Sequence, residues 1–415
     1  MADRVSNAIH ATPVASAATI TERVRQLYDT YPFPPEPLLD GDPLGFNWRW
    51  SWPQAYSFCT NRYPTSNATR ILDAGCGSGA GTEYLVHQNP EAEIWAFDLS
   101  EKALAIAAER CAKFETDRLH FRHLSIDDIE TIPGQFDFIN CVGVLHHLPD
   151  PQAGLNAIAS KLVPGGLAHI FVYGELGRWE IQLMQRALRL LVNGDENQSL
   201  ASVDRLKEGL TVGRQLFETL PDDNRIVVQD KARWSMENGK DECFADMYLH
   251  PCEADYNCNT LFDWIDRAGL EFVGFSNPKF WQLDRLLASA PDLMELAGQL
   301  TDRQRYRAIE LLDPTPAHYE FFLTKSPLER FTWTDEMRLD AIAHRSPCIW
   351  LWPGPSVMNY DCQPVALSPS AQQFLTLANG EKSVRDIQAE LDAPLTFEQL
   401  RALQQVQLLL LADRS

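Results

Sequence analysis

The sequence predicts an α/β protein built on a mostly parallel sheet, and three observations carry that prediction. Short β-type runs and amphipathic helical stretches alternate from Arg70 to Tyr173, the pattern of strands joined by right-handed helical crossovers. The first run, Arg70 to Ala74, feeds a turn containing Gly75, Gly77 and Gly79 directly into a helix. After a helix-rich interval the alternation returns and closes with a strand at His318 to Thr324.

Taken in order, residues 1–19 are rich in Ala, Ser and Thr without apolar period and read as a flexible lead. Ile20 to Tyr31 reads as a short helix with Thr21 as its cap and Val24, Leu27 and Tyr28 on one face, halted by Tyr31-Pro32-Phe33-Pro34-Pro35. Phe46 to Trp52 places three tryptophans in five residues, Trp48, Trp50 and Trp52. Strands follow at 70–74, 93–97, 119–124, 136–142 and 167–173, the last after the turn Pro164-Gly165-Gly166, with helices at 81–88, 101–114 and 151–162. From 175 to 258 the apolar spacing is helical, notably over Trp179 to Val192, and reads as an insertion beside the sheet. A helix at 261–268, a strand at 271–275, helices between 280 and 312 and the strand at 318–324 complete the sheet. Residues 326–358 show no clear period, and 370–412 read as three short helices with a turn at Asn379-Gly380. The domain division expected is therefore 1–64, an N-terminal lead and aromatic cap; 65–325, the sheet domain with its insertion; and 326–415, a small, mostly helical unit.

Composition narrows the function. The formal charge is −21, from 36 Lys plus Arg against 57 Asp plus Glu, which disfavours a nucleic-acid surface. Nine cysteines, an odd number with no Cys-x-x-Cys pair, suit a reducing, cytoplasmic compartment. Cys243, Cys252 and Cys258 with His250 form a loose group whose spacing does not match a zinc site, so no metal is expected. The N-terminus lacks the apolar stretch of a secretory signal, and no run approaches the roughly 18 apolar residues of a membrane span.

The chemistry concentrates in Ile71-Leu72-Asp73-Ala74-Gly75-Cys76-Gly77-Ser78-Gly79. Glycines where a strand meets a helix let the backbone approach a ligand. Asp98, 25 residues beyond Asp73 at the end of the next strand, can accept both hydroxyls of a ribose; its alternative role is a helix cap. The spacing Gly75-x-Gly77-x-Gly79 is not that of a pyrophosphate cradle, and Asp73 would repel a pyrophosphate. A cofactor bearing a sulfonium and an ammonium suits the acidic site better.

Four segments in order, LDAGCGSGAGT, AFDLS, FDFINCVGVLHHLPDP and LVPGGLAHIFVY, resemble the class I methyltransferases that use S-adenosylmethionine, closely over 65–175 and more loosely to about 325. The resemblance implies a Rossmann-like fold, a seven-stranded mostly parallel sheet with flanking helices, here with helical insertions and a small C-terminal helical or winged-helix-like domain. It implies that Asp73, Gly75, Cys76 and Gly77, with Gly79 completing the turn, hold the methionine portion of S-adenosylmethionine, that Asp98 holds the ribose, and that Leu99 lies against the adenine. Cys141 and Val142 would lie beside the sulfonium. The acidic adenine contact common in the family is replaced by Ser125-Ile126, with Asp127 as the substitute candidate.

Methyl transfer is an in-line displacement at an already activated carbon, so a base is optional. His146 and His147, in the loop after the fourth strand, are the candidate bases, with packing as their alternative role; Glu175, at the exit of the fifth, is a third candidate. The acceptor pocket is expected from the N-terminal segment, the insertion and the helices at 280–312, since the core is occupied by the cofactor. The aromatic segment reads equally as a lid or as a hydrophobic strap, and Asp246 to Pro251 either reaches the site or bends the chain. Three functions follow: methylation of a small-molecule acceptor, methylation of a protein side chain, or a non-catalytic cofactor-binding module. The C-terminal unit, with Arg401 the one cation of its last helix, is expected to contact a partner or a second copy rather than DNA.

Overall fold

A computed structural model describes residues 16–414. Seven strands form the main sheet: β1 Arg70–Ala74, β2 Glu93–Asp98, β3 Leu119–His123, β4 Phe136–Val142, β5 Leu162–Tyr173, β6 Glu271–Phe275 and β7 His318–Thr324. Their order is β3-β2-β1-β4-β5-β7-β6, with β7 antiparallel to both neighbours and the rest parallel. The order reverses between β1 and β4, and the carboxyl ends on either side of that point open a crevice. This is the Rossmann-like sheet of the class I methyltransferase fold.

The central strands are almost wholly apolar because both faces are covered. Leu72, Ile139 and Ile170 belong to one core with the helices Pro151–Lys161 and Cys258–Arg267. Ile71, Phe138 and Phe322 belong to a second, closed by Trp48 and Trp52. The turn expected at 164–166 is a bulge within β5: Phe136 pairs with Leu162, and Phe138 with Leu167, so four residues are taken up on one strand. Gly165, at φ 78°, supplies the left-handed position this needs.

The N-terminal helix begins earlier than the sequence suggests. It runs Ala17–Thr30, and its cap is Ser16, whose Oγ accepts the Thr19 amide, rather than Thr21. Residues 17–19, expected within a flexible lead over 1–19, are helical, and the first fifteen residues of that expected lead lie outside the described ones. The insertion folds as helices Trp179–Asn193, Val203–Thr219, Arg225–Arg233 and Asp241–Tyr248. Leu27 of the N-terminal helix is buried with Ile181, Met184, Leu188, Phe244 and Tyr248 in one separate core. Helix and insertion thus form a single cap over the crevice, each large apolar side chain so buried contributing about 1.5–3 kcal/mol.

The C-terminal unit, expected to be mostly helical or winged-helix-like with three short helices over 370–412, also carries strands. Its helices Pro369–Leu377, Val384–Glu390 and Phe397–Gln405 pack on a three-stranded antiparallel sheet, with β8 Ile342–Arg345 between β11 Asn379–Ser383 and β12 Leu409–Ala412; the short hairpin β9 Ser356–Met358 and β10 Pro364–Ala366 precedes them. The last helix stops at Gln405 because Gln407 turns left-handed at φ 56°, and Leu409–Leu411 continue as a buried strand. A core of its own, from Trp333 to Leu411, holds the unit together. It docks on the helix Trp52–Thr60 through Gln54, which bonds Ser346 and Gln407.

Candidate functional site

At the end of β1 the chain turns on Gly75 and Gly77, at φ 76° and 54°. The amides of Gly75 and Cys76 both donate to Phe97 O at 2.9 Å. Gly77 N–H donates to Asp98 Oδ2 at 2.7 Å, and Ser100 N–H to Asp98 Oδ1 at 2.8 Å. Asp98 is therefore not the helix cap: Ser100 is, with its Oγ accepting the Ala103 amide. Burial raises the Asp98 carboxyl, and the amides of Ser100, Gly77 and Leu99 oppose that. Asp73 is buried, accepts Thr82 Oγ1 at 2.6 Å and Asn140 Nδ2 at 2.8 Å, and is pushed by burial up to about 6.

The crevice is a cavity of about 420 Å³, within the range of small-ligand sites. Its deep end is lined by Asp73, Gly75, Cys76 and Gly77, then by Asp98 and Leu99, Ser125, Ile126 and Asp127, and by Val142. Two residues expected there stand elsewhere. Gly79 packs on the helix behind, where a Cβ would come 2.6 Å from that of Ala107. Cys141 is buried in the core on the far side of the strand, because successive side chains of β4 alternate; Asn140 and Val142 reach the cavity instead.

The N-terminal segment closes over the glycine turn. Ser78 N–H donates to Phe33 O at 2.9 Å, and Ser78 Oγ donates to Pro34 O at 2.5 Å. A Cβ on Gly77 would lie 2.3 Å from Phe33 O, so only glycine admits this contact. Arg110 ties the next residues down, donating to Glu36 O at 2.7 Å and Pro37 O at 2.9 Å. Lid and strap are both present: Trp48 and Trp52 anchor in the core, whereas Tyr28, Phe33, Pro34 and Trp50 face the cavity.

The outer end is polar at its floor. Tyr28 Oη donates to Asp246 Oδ1 at 2.8 Å, and Tyr173 Oη to Asp246 Oδ2 at 3.3 Å. The Arg178 guanidinium lies 3.4 Å over the Tyr173 ring and pairs with Glu253 at 2.9 Å. His147 lines this end, its Nδ1 3.0 Å from Cys252 O and its ring stacked on His250 at 3.6 Å. A carbonyl only accepts, so Nδ1 carries hydrogen. Burial pushes the ring down to about 4, so at neutral pH Nε2 is a lone pair.

His146 and Glu175 are not at the cavity. His146 is buried beneath Tyr173, ring centroids 3.9 Å apart, with neither nitrogen bonded. Glu175 is exposed, accepts Asn257 Nδ2 at 2.7 Å and does not line the cavity; Arg178, at the end of the turn it heads, does. The cysteines weighed as metal ligands diverge: Cys243 lines the cavity, Cys252 Sγ donates to Leu148 O, and Cys258 is buried beside Glu310. Among the described residues no helix is long and apolar enough to cross a membrane. Of the two readings of Asp246 to Pro251, Asp246 reaches the site; sequence reasoning missed Asn140, Trp234 and the meeting of Tyr28, Asp246 and Tyr173. Only Asn140 carried a local signal, a polar side chain inside an apolar strand.

A family profile described as "Methyltransferase domain" matches residues 72–168. The chain is 50% identical over 359 residues to an uncharacterized protein of Synechococcus sp., covering 86% of this chain and 84% of that one. It is 33% identical over 133 residues to the ubiquinone biosynthesis O-methyltransferase of Dechloromonas aromatica, covering 32% of this chain and 51% of the relative. In fold it is similar to PKMT2 from Rickettsia typhi in complex with AdoHcy, with a TM-score of 0.60, 15% identity, and coverage of 92% of this chain and 78% of that one.

Proposed function

Because this chain belongs to the class I S-adenosylmethionine-dependent methyltransferases, we propose that it methylates a small molecule held between the sheet edge and the helical cap. The site fits the cofactor on its own chemistry. The turn at Gly75 and Gly77 lines the cavity with bare backbone, Asp98 beside it presents a carboxylate, and buried Asp73 offers negative charge to an ammonium. When bound, S-adenosylmethionine supplies a methyl group on a positively charged sulfur.

The observation that carries the acceptor reading is the outer chamber, which the common sheet does not need. Tyr28, Trp50, Trp234, Met247 and Phe171 give it apolar walls, and Asp246 holds both tyrosine hydroxyls so that their oxygens remain free to accept. Such a chamber orients an acceptor with an apolar body and an N–H or O–H group. His147 Nε2 is placed to take the proton that the acceptor gives up as its lone pair forms the new bond to carbon. Desolvation by the cap and alignment of the acceptor supply the rest. In this reading the protein works in the cytoplasm, supported by nine free cysteines. The C-terminal unit contributes nothing to the cavity and serves contact with a partner or second copy.

The test is transfer of labelled methyl from S-adenosylmethionine into separate metabolite and protein fractions of one cell extract. Label in the metabolite fraction, lost in a His147→Phe variant, is expected. Label confined to protein would instead favour a side-chain acceptor, and cofactor binding without transfer would favour a non-catalytic module.

A further inference from the structure

A buried row of polar groups crosses the sheet behind the cofactor end of the cavity. Asn140 Nδ2 donates to Asp73 Oδ1 at 2.8 Å, and the other end of the amide meets His169 Nδ1 at 2.8 Å. His169 Nε2 lies 3.1 Å from Glu320 Oε1, and Ser276 Oγ donates to Glu320 Oε2 at 2.7 Å. Arg49 Nε stands 2.7 Å from that same oxygen. Asp73, Asn140, His169 and Glu320 sit on β1, β4, β5 and β7, consecutive in the sheet. Beyond Asp73, no member of the row takes part in methyl transfer as described above.

The proton count of this row is constrained. An amide has one accepting and one donating end. With its NH2 toward an ionised Asp73, the Asn140 oxygen faces His169 Nδ1, which must carry hydrogen. Nε2 must also carry one, because the Glu320 carboxylate only accepts, so the ring is an imidazolium. With the amide turned over, its oxygen accepts from a protonated Asp73 and its NH2 donates to a bare Nδ1; the ring is neutral and keeps its Nε2 proton on Glu320. Both arrangements satisfy every contact at the same heavy-atom distances and hold the same number of protons.

We propose that Asp73 and His169 share one proton through the Asn140 amide, and that the cationic methionine end of the cofactor moves it from the carboxyl to the ring. In the free protein below about pH 6, burial favours the neutral pair: it pushes Asp73 up to about 6, with Asp98 across the turn adding to the rise and Thr82 and Asn140 opposing it. Burial likewise pushes His169 down, with Arg49 adding to this and Glu320 opposing it. Burial would raise Glu320 as well, but His169, Arg49 and Ser276 outweigh it and hold it at about 2, so it stays an acceptor; His318 is the remaining titratable group facing it. An ammonium beside Asp73 reverses the preference. Asp73 then loses a proton to solvent, His169 gains one, the amide turns over, and no net proton is taken up. His169 is in this sense a positioning residue, setting the charge of Asp73 through Asn140.

The proposal rests on the glycine turn being the cofactor site, and the test separates the two. Histidine ring nitrogens are labelled with 15N and S-adenosylhomocysteine, which keeps the ammonium, is added at pH 5.5; a His169→Gln variant identifies the signal. The His169 ring is expected to change from a neutral form protonated at Nε2 to one protonated at both nitrogens. Calorimetry in two buffers of different ionisation enthalpy should show no net proton exchange for the native chain, and release of about one proton on binding to His169→Gln, where Asp73 has no partner to pass it to. Binding that leaves the His169 ring unchanged overturns the proposal and spares the cofactor site. Absence of binding by the folded native chain overturns both.

Discussion

The Gly77 amide donates to Asp98 Oδ2 at 2.7 Å and, with the Gly75 and Cys76 amides on Phe97 O, joins the turn after β1 to the end of β2. It fixes the carboxylate at the mouth of the glycine turn, with its second oxygen held by Ser100 N–H. On the other side of Gly77 the Phe33 carbonyl occupies the place of a side chain. One residue therefore sets the floor of the cofactor site and the seat of the strap.

Two substitutions separate those roles. With Asp98 in its proposed ribose role, Asp98→Ala removes charge-assisted bonds, each worth about 1.5–3 kcal/mol, so S-adenosylmethionine affinity should fall by ~10- to 100-fold or more. Gly77→Val forces both a left-handed valine and a collision with Phe33 O, and should abolish binding while the far-ultraviolet spectrum of the sheet and helices is kept. Calorimetry with both variants checks this; undiminished affinity in Asp98→Ala would remove the ribose assignment.

The adjacent histidines should behave oppositely. His147 lines the cavity, and with Nε2 as the base proposed above His147→Phe should lower kcat by about 100-fold, the low end of general-base contributions, with cofactor affinity unchanged. His146 offers no bonded nitrogen, and His146→Phe keeps its ring contact with Tyr173, so kcat should stay within about three-fold. Because the His147 ring is held at about 4, the native rate should be flat from about pH 6 to 8, without the inflection of an ordinary histidine.

The parts of this site that local sequence dictates were legible, and the parts made by distant encounters were not. The strand, the left-handed glycines and Asp98 lie within 26 consecutive positions, 73–98, and their spacing alone implies the turn and its partner. Tyr28 and Asp246 meet across 218 residues, and nothing near either one announces the other. The sequence points to the cysteine of β4 and not to its neighbour Asn140, because an apolar strand buried on both faces hides which side each residue faces. The strand Leu409–Ala412 is not legible for a related reason: a short apolar run has no period to tell helix from strand. The tryptophan segment could not be assigned to lid or strap because it is both, Trp50 facing inward while Trp48 and Trp52 anchor it.

The strap should be separable from the fold. Arg110 is buried and holds it through the carbonyls of Ser78, Glu36 and Pro37. Arg110→Met keeps the aliphatic packing but frees three carbonyls, a loss of about 2 kcal/mol or more at the strap. Limited proteolysis should then cut within residues 35–44, and KM for S-adenosylmethionine should rise several-fold, with kcat at saturation little changed. Equal resistance to protease in variant and native chains would show that the strap is held by its apolar contacts instead.

His147 also makes a pH-dependent contribution to stability whose sign is fixed. Its ring is buried, held at about 4 in the folded chain against an ordinary 6.5, so below pH 6.5 the unfolded chain binds a proton that the folded one does not. The contribution is fully present above pH 6.5 and is lost as pH falls toward 4, by about 3 kcal/mol over that window. Measured on the native chain alone this is masked, because buried carboxyls shift the other way: Asp73 is raised to about 6 and Asp255 to about 7, and both favour the fold as acid is added. Those carboxyls are common to native and His147→Phe chains and cancel in the difference. Urea unfolding of the two at pH 7 and pH 4.5 should therefore show the variant gaining on the native chain by roughly 2–3 kcal/mol at the lower pH. A difference independent of pH would mean that the His147 ring protonates in the fold as easily as in water. It would then lie open to solvent in the free protein, and the lone pair assigned to Nε2 would be lost below neutrality.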